Sequence, residues 1–251
     1  AEIGEAAVAL GVRKIRLTGG EPLVRKGILD LCRSLSALPG LSELCLTTNG
    51  AQLKTFAAPL RAAGVSRLNI SLDTLQPEKF TCLTRRGNLQ DTLDGIAAAE
   101  AAGFDRLKLN CVLLGGVNDD EIGDFLRLTE EHPWEVRFIE LMPMGPCAHG
   151  SAERFLPASV ILDRFPALRP LPEDGGVARR YQLPGAQGTV GLISPLSCDF
   201  CAQCRRLRVT ADGHLLPCLH GRAEQNLRGL HGEALENAIL AGAMAKPLRH
   251  H

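Results

Sequence analysis

Through the first 142 residues, apolar and polar positions follow two rhythms in turn. Five short runs alternate with period two, at 14–18, 43–48, 67–73, 106–113 and 135–141. Between them the apolar positions widen to three and four residues, as at Ile28, Leu31, Cys32, Leu35 and Leu38, or at Ile122, Phe125 and Leu126. Period two marks a strand, and the wider spacing marks an amphipathic helix. Asn118, just before the last of these stretches, reads as a helix N-cap. Strand and helix in regular alternation predict a parallel sheet, open or closed into a barrel.

The two faces of these strands differ in kind. Side chains alternate across a strand, so one face carries Ile15, Leu17, Leu44, Leu46, Leu68, Ile70, Leu72, Leu107, Leu109, Val136 and Phe138. The other carries Lys14, Arg16, Thr18, Glu43, Cys45, Thr47, Arg67, Asn69, Ser71, Lys108, Asn110, Glu135 and Arg137. A parallel sheet is ordinarily apolar on both faces. A one-sided polar face predicts a barrel, incomplete or closed, whose lumen is wide enough for a charged ligand. Glu43 and Glu135 are natural partners for Arg67 and Arg137, yet so many buried ionisable groups are costly without a ligand. Functional groups of such barrels gather at the carboxyl ends of the strands. Those ends read Thr18-Gly19-Gly20-Glu21-Pro22, Thr47-Thr48-Asn49-Gly50, Ser71-Leu72-Asp73 and Met142-Pro143-Met144-Gly145. Gly19-Gly20 suits a close backbone approach, and Glu21 is expected to accept from a cationic amine.

Beyond residue 142 the rhythm loosens, and the Pro- and Gly-rich stretch to 196 predicts a loosely structured connection across the barrel mouth. Then Cys201, Cys204 and Cys218 stand as C-x2-C-x13-C, with Arg206-Leu207-Arg208 between the second and third. Strands at 205–210 and 214–218 around Ala211-Asp212-Gly213 predict a hairpin centred on residue 211, which sets Cys204 beside Cys218. Three converging thiolates with two arginines nearby predict a metal site beside an anion site. A structural zinc site closes with four ligands, and Cys198 is available as a fourth; three cysteines also suit an iron–sulfur cluster with one open iron. Spacing does not separate zinc from iron and sulfide.

Charge narrows the field further. The 251 residues hold 28 basic and 28 acidic side chains, so nothing in the balance suggests general affinity for nucleic acid or anionic membrane. Any anion site must be a local cluster. No apolar run is long enough to span a bilayer and no signal-peptide pattern is present. Nine cysteines, most of them single in apolar stretches such as Cys32, Cys45 and Cys111, fit free thiols in a reducing compartment. The expected location is the cytoplasm.

KIRLTGGEPLVR, LTTNG, NISLDTL, KLNCVLLGGVNDDE, VRFIELMPMG, GTVGLISPLS and DFCAQCRRLRVTADGHLLPCL occur in this order. Together they resemble the GTP 3',8-cyclases, the radical S-adenosylmethionine enzymes of molybdenum cofactor biosynthesis. GGEP implies only the broad superfamily; the cysteine–arginine signature implies the cyclases. The resemblance implies an incomplete (β/α)6 TIM-like barrel over 1–142 and a cluster-binding region over 143–251. It implies a 4Fe–4S cluster on Cys201, Cys204 and Cys218 whose open iron takes guanine. It also implies GTP contacts from Lys14, Arg16, Thr47, Lys108, Arg137, Arg206 and Arg208. Gly20, Ser71 and Met142 match positions around S-adenosylmethionine, which a second 4Fe–4S cluster cleaves. The implied partners are GTP, an electron donor, a second copy in a homodimer and a downstream cyclic pyranopterin synthase; neither nucleic acid nor a membrane is implied.

The chain departs from that pattern in places. The family's first cluster is held by C-x3-C-x2-C, and no such spacing occurs among these cysteines. The chain therefore reads as truncated at both ends, with the first strand and its cluster loop upstream of Ala1. Arg205 stands where the family has Asn, and Cys198 is an extra thiol expected to be a bystander. Three other readings compete: a non-catalytic relative binding GTP and iron–sulfur, a peptide-modifying radical enzyme with an auxiliary cluster, and a zinc-stabilised interaction domain. Assayed with dithionite, this polypeptide is expected to form no 5'-deoxyadenosine; product above background would overturn that expectation.

Overall fold

A computed structural model describes residues 1–143, 151–197, 201, 204–221 and 225–247. Met144, Gly145, Cys147 and Cys198 lie outside the described residues. Helix α1 (Glu2–Ala9) leads into β1 (Lys14–Leu17), a 3-10 turn at Pro22–Val24, α2 (Ile28–Ser36) and β2 (Glu43–Thr48). Next come α3 (Leu53–Ala62), β3 (Arg67–Ser71), α4 (Pro77–Thr84), α5 (Leu89–Ala101), β4 (Lys108–Leu113), α6 (Ile122–Glu131) and β5 (Glu135–Glu140). The carboxyl-terminal part adds α7 (Val160–Arg164), β6 (Arg169–Pro170), β7 (Arg179–Gln182) and β8 (Thr189–Ile193). It ends with β9 (Arg208–Val209), β10 (His214–Leu216), β11 (Gln225–Asn226) and α8 (Gly232–Met244).

The five alternating runs all form strands, with ends trimmed by one or two residues. They join in the sheet order β1-β2-β3-β4-β5-β8-β7-β6. Pairing is parallel from β1 through β8 and antiparallel at β7 and β6. Strands β1 and β6 stand at the two ends of that order, so the described sheet does not close on itself. It is a mixed α/β fold around a mostly parallel sheet. No helix of the described residues is long and apolar enough to cross a membrane.

The apolar face packs as its pattern predicts. Leu44, Leu46, Leu68, Ile70, Leu107, Leu109, Val136 and Phe138 are buried in one core with Leu35, Leu53, Leu60, Ile96 and Phe125 from the helices. Phe125 meets Phe138 edge-on with ring centroids 6.0 Å apart. Each such side chain contributes about 1.5–3 kcal/mol by leaving water, which makes the helix-covered face the main source of stability. A smaller core joins the two ends of the described chain. There Ala6 of α1 packs with Leu215 of β10 and Leu235, Ala238 and Ile239 of α8. Gly242 permits this approach, since a Cβ there would stand 2.1 Å from Leu215 Cδ2.

Two expectations need correcting. Asn118 is not a helix cap: α6 begins at Ile122, after Glu121. The Asn118 side chain is buried, accepting from Leu114 N at 2.8 Å and donating to Asp73 O at 2.7 Å and Val112 O at 2.8 Å. Backbone groups left at the ends of two strands thus outcompete the helix terminus for this amide. The Pro- and Gly-rich stretch is also more ordered than its composition suggests. Its β8 pairs with β5 in parallel register and buries Val190 and Leu192 in the main core.

Glu140 ties these parts together from the end of β5. It is fully buried and accepts from Ala158 N at 3.0 Å, Leu196 N at 3.1 Å, Ser197 N at 3.0 Å and the Ser197 hydroxyl. One carboxylate therefore satisfies donors from two carboxyl-terminal segments at once. Glu140→Ala would strand those buried donors at a cost of about 3 kcal/mol. Urea unfolding is expected to show a loss of that size, with Glu140→Gln intermediate because its amide keeps one acceptor oxygen.

Candidate functional site

Parallel register arranges the polar side chains in rows across the sheet. Arg16, Cys45 and Arg67 are successive register neighbours on β1, β2 and β3. One step toward the carboxyl ends, Thr47, Asn69, Lys108 and Glu135 form the next row. Ser71, Asn110 and Arg137 form the row beyond. Lys14 opens β1 opposite Glu43. Period-two alternation put these residues on one face, and pairing in register made them neighbours.

The face holds five cations, Lys14, Arg16, Arg67, Lys108 and Arg137, against the carboxylates Glu43 and Glu135. Each carboxylate serves two cations. Glu43 lies 2.5 Å from Lys14 Nζ and also pairs with Arg67. Glu135 lies 2.5 Å from Lys108 Nζ and also pairs with Arg137. The anticipated pairs Glu43–Arg67 and Glu135–Arg137 are therefore present, with a lysine added to each. Among the described residues Arg16 pairs with no carboxylate, and it donates from Nη1 to Thr47 Oγ1 at 3.3 Å. Gly191 of β8 makes room, since a Cβ there would stand 3.1 Å from Arg137 Cγ and 3.3 Å from Glu135 Oε1.

The titration behaviour follows from this crowding. Burial lowers the Lys108 ammonium to about 8, with Arg137 acting in the same direction and Glu135 opposing. Burial works against ionisation of Glu135, but the charges of Arg137 and Lys108 outweigh it and hold the carboxyl below its usual range. Lys14 is lowered by burial and then by Arg67, Arg16 and Arg137, against Cys45. Two buried acceptors on this face, Asn69 Oδ1 and Asn110 Oδ1, have no hydrogen-bond partner among the described residues. A cavity of about 650 Å³ opens at the amino ends of β3, β4, β5 and β8, lined by Arg67, Lys108, Glu135, Asp174 and Arg180 among others.

The carboxyl ends of the strands form a rim. Gly20, Ser71 and Met142 follow or end β1, β3 and β5, and parallel pairing places those ends on one edge. Glu21 is not a free acceptor. It takes hydrogen bonds from Leu23 N at 3.0 Å, Thr48 Oγ1 at 2.8 Å and Asn49 N at 2.7 Å. It thereby pins the Gly19-Gly20 loop to the loop after β2.

Strands β9 and β10 pair antiparallel with Val209 opposite Leu215 and Arg208 opposite Leu216. Thr210 N and His214 O bond at 2.9 Å, enclosing a three-residue loop that ends on Gly213 at φ +87°. Such a loop needs a left-handed third residue, and it moves the hairpin centre from 211 to 212. The paired residues end at Arg208 and Leu216, short of Cys204 and Cys218. Cys204 N bonds Cys201 O at 3.0 Å, and Arg208 interacts electrostatically with both Cys204 and Cys218. Among the described residues no three His, Cys, Asp or Glu side chains are placed to hold a single metal ion. A cluster spreads its cysteines over several irons, so its ligands need not meet at one point.

Burial disfavours the Cys204 thiolate, yet the Arg206 backbone N–H and guanidinium and the Lys246 ammonium overcome it and lower the thiol's pKa. A lowered thiol is the form that ligates iron. Lys246 also donates to Arg206 O at 2.7 Å and Pro217 O at 2.9 Å, clasping both sides of the hairpin. The charge of Arg206 in turn repels that of Arg16, so the cysteine hairpin stands near the cationic face. Sequence reasoning missed Lys246, Asp174 and Arg180, none of which lies in a recognisable motif.

Residues 1–129 match the Radical SAM superfamily, and residues 134–251 match the family Molybdenum Cofactor Synthesis C. Curated relatives align along the whole chain. The GTP 3',8-cyclase of Peptoclostridium acidaminophilum is 48% identical over 254 residues, covering 99% of this chain and 78% of that protein. That of Pseudomonas entomophila (strain L48) is 49% identical over 262 residues, covering 100% of this chain and 78% of that one. That of Moorella thermoacetica is 47% identical over 261 residues, covering 100% and 80%. This chain belongs to the GTP 3',8-cyclase family. The radical S-adenosylmethionine character of a GTP 3',8-cyclase implies a 4Fe–4S cluster and S-adenosylmethionine as cofactors.

The cationic face supplies a test. Lys108 is a cation below pH 8 and neutral above it, while Arg67 and Arg137 beside it stay charged. Inorganic triphosphate is therefore expected to bind several-fold more weakly as pH rises through about 8. Titration calorimetry on Lys108→Arg should flatten that step, because guanidinium does not deprotonate in this range; an unchanged step would assign it to another group.

Proposed function

We propose that this chain carries the GTP site of an enzyme that converts GTP to 3',8-cyclo-7,8-dihydro-GTP in molybdenum cofactor biosynthesis, and that the polypeptide by itself, having no C-x3-C-x2-C cysteines, does not carry out the step. GTP lies along the polar face of the sheet, its triphosphate against Lys14, Arg16, Lys108 and Arg137 and its guanine toward the cysteine hairpin. The observation that carries this reading is the surplus of cations on a half-buried face, five against two carboxylates. A triphosphate supplies the missing negative charge, and arginine binds its oxygens through a planar fork of donors. Thr47 and Arg16, already hydrogen-bonded to one another, contribute together. Arg206 and Arg208 close the other end of the substrate.

The sheet is read as the family's incomplete (β/α)6 barrel over 1–142, and 143–251 as the region that brings the hairpin over it. Cys201, Cys204 and Cys218 suit a 4Fe–4S cluster by donor chemistry: none of the three is in a disulfide, and the Arg206 backbone N–H and the neighbouring cations lower the Cys204 thiol. Gly20, Ser71 and Met142 at the rim would hold S-adenosylmethionine. No cysteines of this chain have the C-x3-C-x2-C spacing, so the ligands of the other cluster are assigned to none of its residues. The cofactors, when bound, supply the radical chemistry. The protein's residues hold the ribose still and exclude water, which removes much of the entropic barrier to ring closure. The reading brings with it an external electron donor, a downstream cyclic pyranopterin synthase and a homodimeric state.

Anaerobic reconstitution tests it. Iron and sulfide are expected to bind the wild type, to be lost in Cys201→Ser, Cys204→Ser and Cys218→Ser, and to remain in Cys198→Ser. One zinc and no sulfide would overturn the cluster assignment. GTP affinity measured by calorimetry should fall at least tenfold in Arg137→Ala, the loss of one charge-assisted contact. A wild type that ignores GTP would overturn the substrate.

A further inference from the structure

A carboxylate stands where the cationic face opens at the amino ends of its strands. Asp174 lies in the 171–178 loop that joins β6 to β7, two strands paired antiparallel at the end of the sheet. The loop is fastened at its base, where Leu171 N bonds Arg180 O at 2.9 Å and Arg180 Nη2 donates to Pro172 O at 3.3 Å. At its tip Asp174 Oδ1 accepts from Gly176 N at 2.9 Å, across Gly175 at φ +70°. The loop ends against the glycine that makes room for Arg137, since a Cβ at Gly191 would stand 3.2 Å from Ala178 Cβ. Asp174 borders the cavity of about 650 Å³ together with Arg67, Lys108, Glu135 and Arg180.

Arg180 is the ion-pair partner of this carboxylate, with Nε 3.4 Å from Oδ2. The charge of Asp174 reaches beyond that pair. Burial works against it, but the Gly176 N–H and the charges of Arg180, Lys108 and Arg137 outweigh burial and hold the carboxyl below its usual range. Arg67, which burial lowers, is pulled the other way by Asp174. Lys108 and Arg137 are the cations assigned above to the triphosphate. An anion held by those two stands at a comparable separation from Asp174 and feels the same charge with the sign reversed. The Asp174 side chain is 45% exposed, so solvent screens part of the effect. We infer that Asp174 opposes a polyphosphate bound to the cationic face and thereby determines how much anionic charge the site accepts. This rests on an anion binding at Lys108 and Arg137, not on that anion being GTP.

Asp174→Asn tests it, because the amide keeps the oxygen that accepts from Gly176 N and removes the charge. Binding of inorganic triphosphate, pyrophosphate and phosphate would be measured by titration calorimetry without added metal. Triphosphate is expected to bind Asp174→Asn about fivefold more tightly than the wild type, the effect of one partly screened charge. The gain should shrink from triphosphate to phosphate as the ligand's charge falls, and fade in high salt. Asp94→Asn makes the same change of net charge on α5, at a carboxylate paired with Lys54, and should leave every affinity in place. Asp174→Ala also lacks the turn acceptor and should show the same gain. Triphosphate binding that is unchanged or weaker in Asp174→Asn would overturn the inference. An equal gain in Asp94→Asn would overturn it as well, and so would a gain confined to Asp174→Ala, which comes from rearrangement of the loop. A gain that turns into a loss when magnesium is added would make Asp174 a metal ligand instead. If triphosphate tightens as expected but GTP does not bind, the GTP reading falls and this inference stands; if triphosphate binds neither wild type nor variant, both fall.

Discussion

Two carboxylates on a half-buried face, each holding two cations, are the arrangement on which the rest of this protein depends. Glu43 serves Lys14 and Arg67, and Glu135 serves Lys108 and Arg137. Sharing an anion lets cations sit side by side without full repulsion, but it leaves a positive surplus that water hydrates only in part. Burial, and after it the charge of Arg137, lowers the Lys108 ammonium. The surplus is tolerable because the opposite face of the same strands packs a continuous apolar core. Helix-side burial stabilises the sheet, and the other side is thereby free to carry unfavourable charge.

The carboxyl-terminal part works by attachment to that sheet. Strand β8 extends it beside β5, Glu140 gathers backbone donors from two later segments, and α1 shares a small core with α8. These attachments come from opposite ends of the chain and converge on the cysteine hairpin. Lys246 then fixes both of its sides and lowers the Cys204 thiol. The hairpin brings Arg206 near enough to Arg16 for the two like charges to repel. A nucleotide spanning the two would bridge a thiolate-rich end and a cation-rich end, which matches the unequal chemistry of a base and a triphosphate.

Much of this was legible before any coordinates. Alternation located every strand up to β5 and assigned each side chain to its face, because one residue of slippage would put leucine in the lumen and arginine in the core. The Glu43–Arg67 and Glu135–Arg137 pairs followed from the same pattern. Short polar residues were harder. Asn118 looked like a cap and instead braces Asp73, Leu114 and Val112; the hydrogen bonds by which Glu21 ties two loops together were not foreseen. Local sequence ranks an asparagine or glutamate by the partners next to it, while a buried one answers to whichever donors the fold brings near.

The chain by itself determined its strand–helix order, the apolar and cationic faces, and, through its ordered motifs, membership of the GTP 3',8-cyclase family. These are properties of period and residue type, which need no contact between distant parts. Only the tertiary structure decided that β8 completes the parallel run, that the hairpin turns at residue 212, and that Lys246, Asp174 and Arg180 stand near charged neighbours. It also decided that Asn69 Oδ1 has no hydrogen-bond partner among the described residues. Each of these depends on which backbone and side-chain groups meet across long separations, and hydrogen-bond satisfaction is settled only when the whole chain has folded.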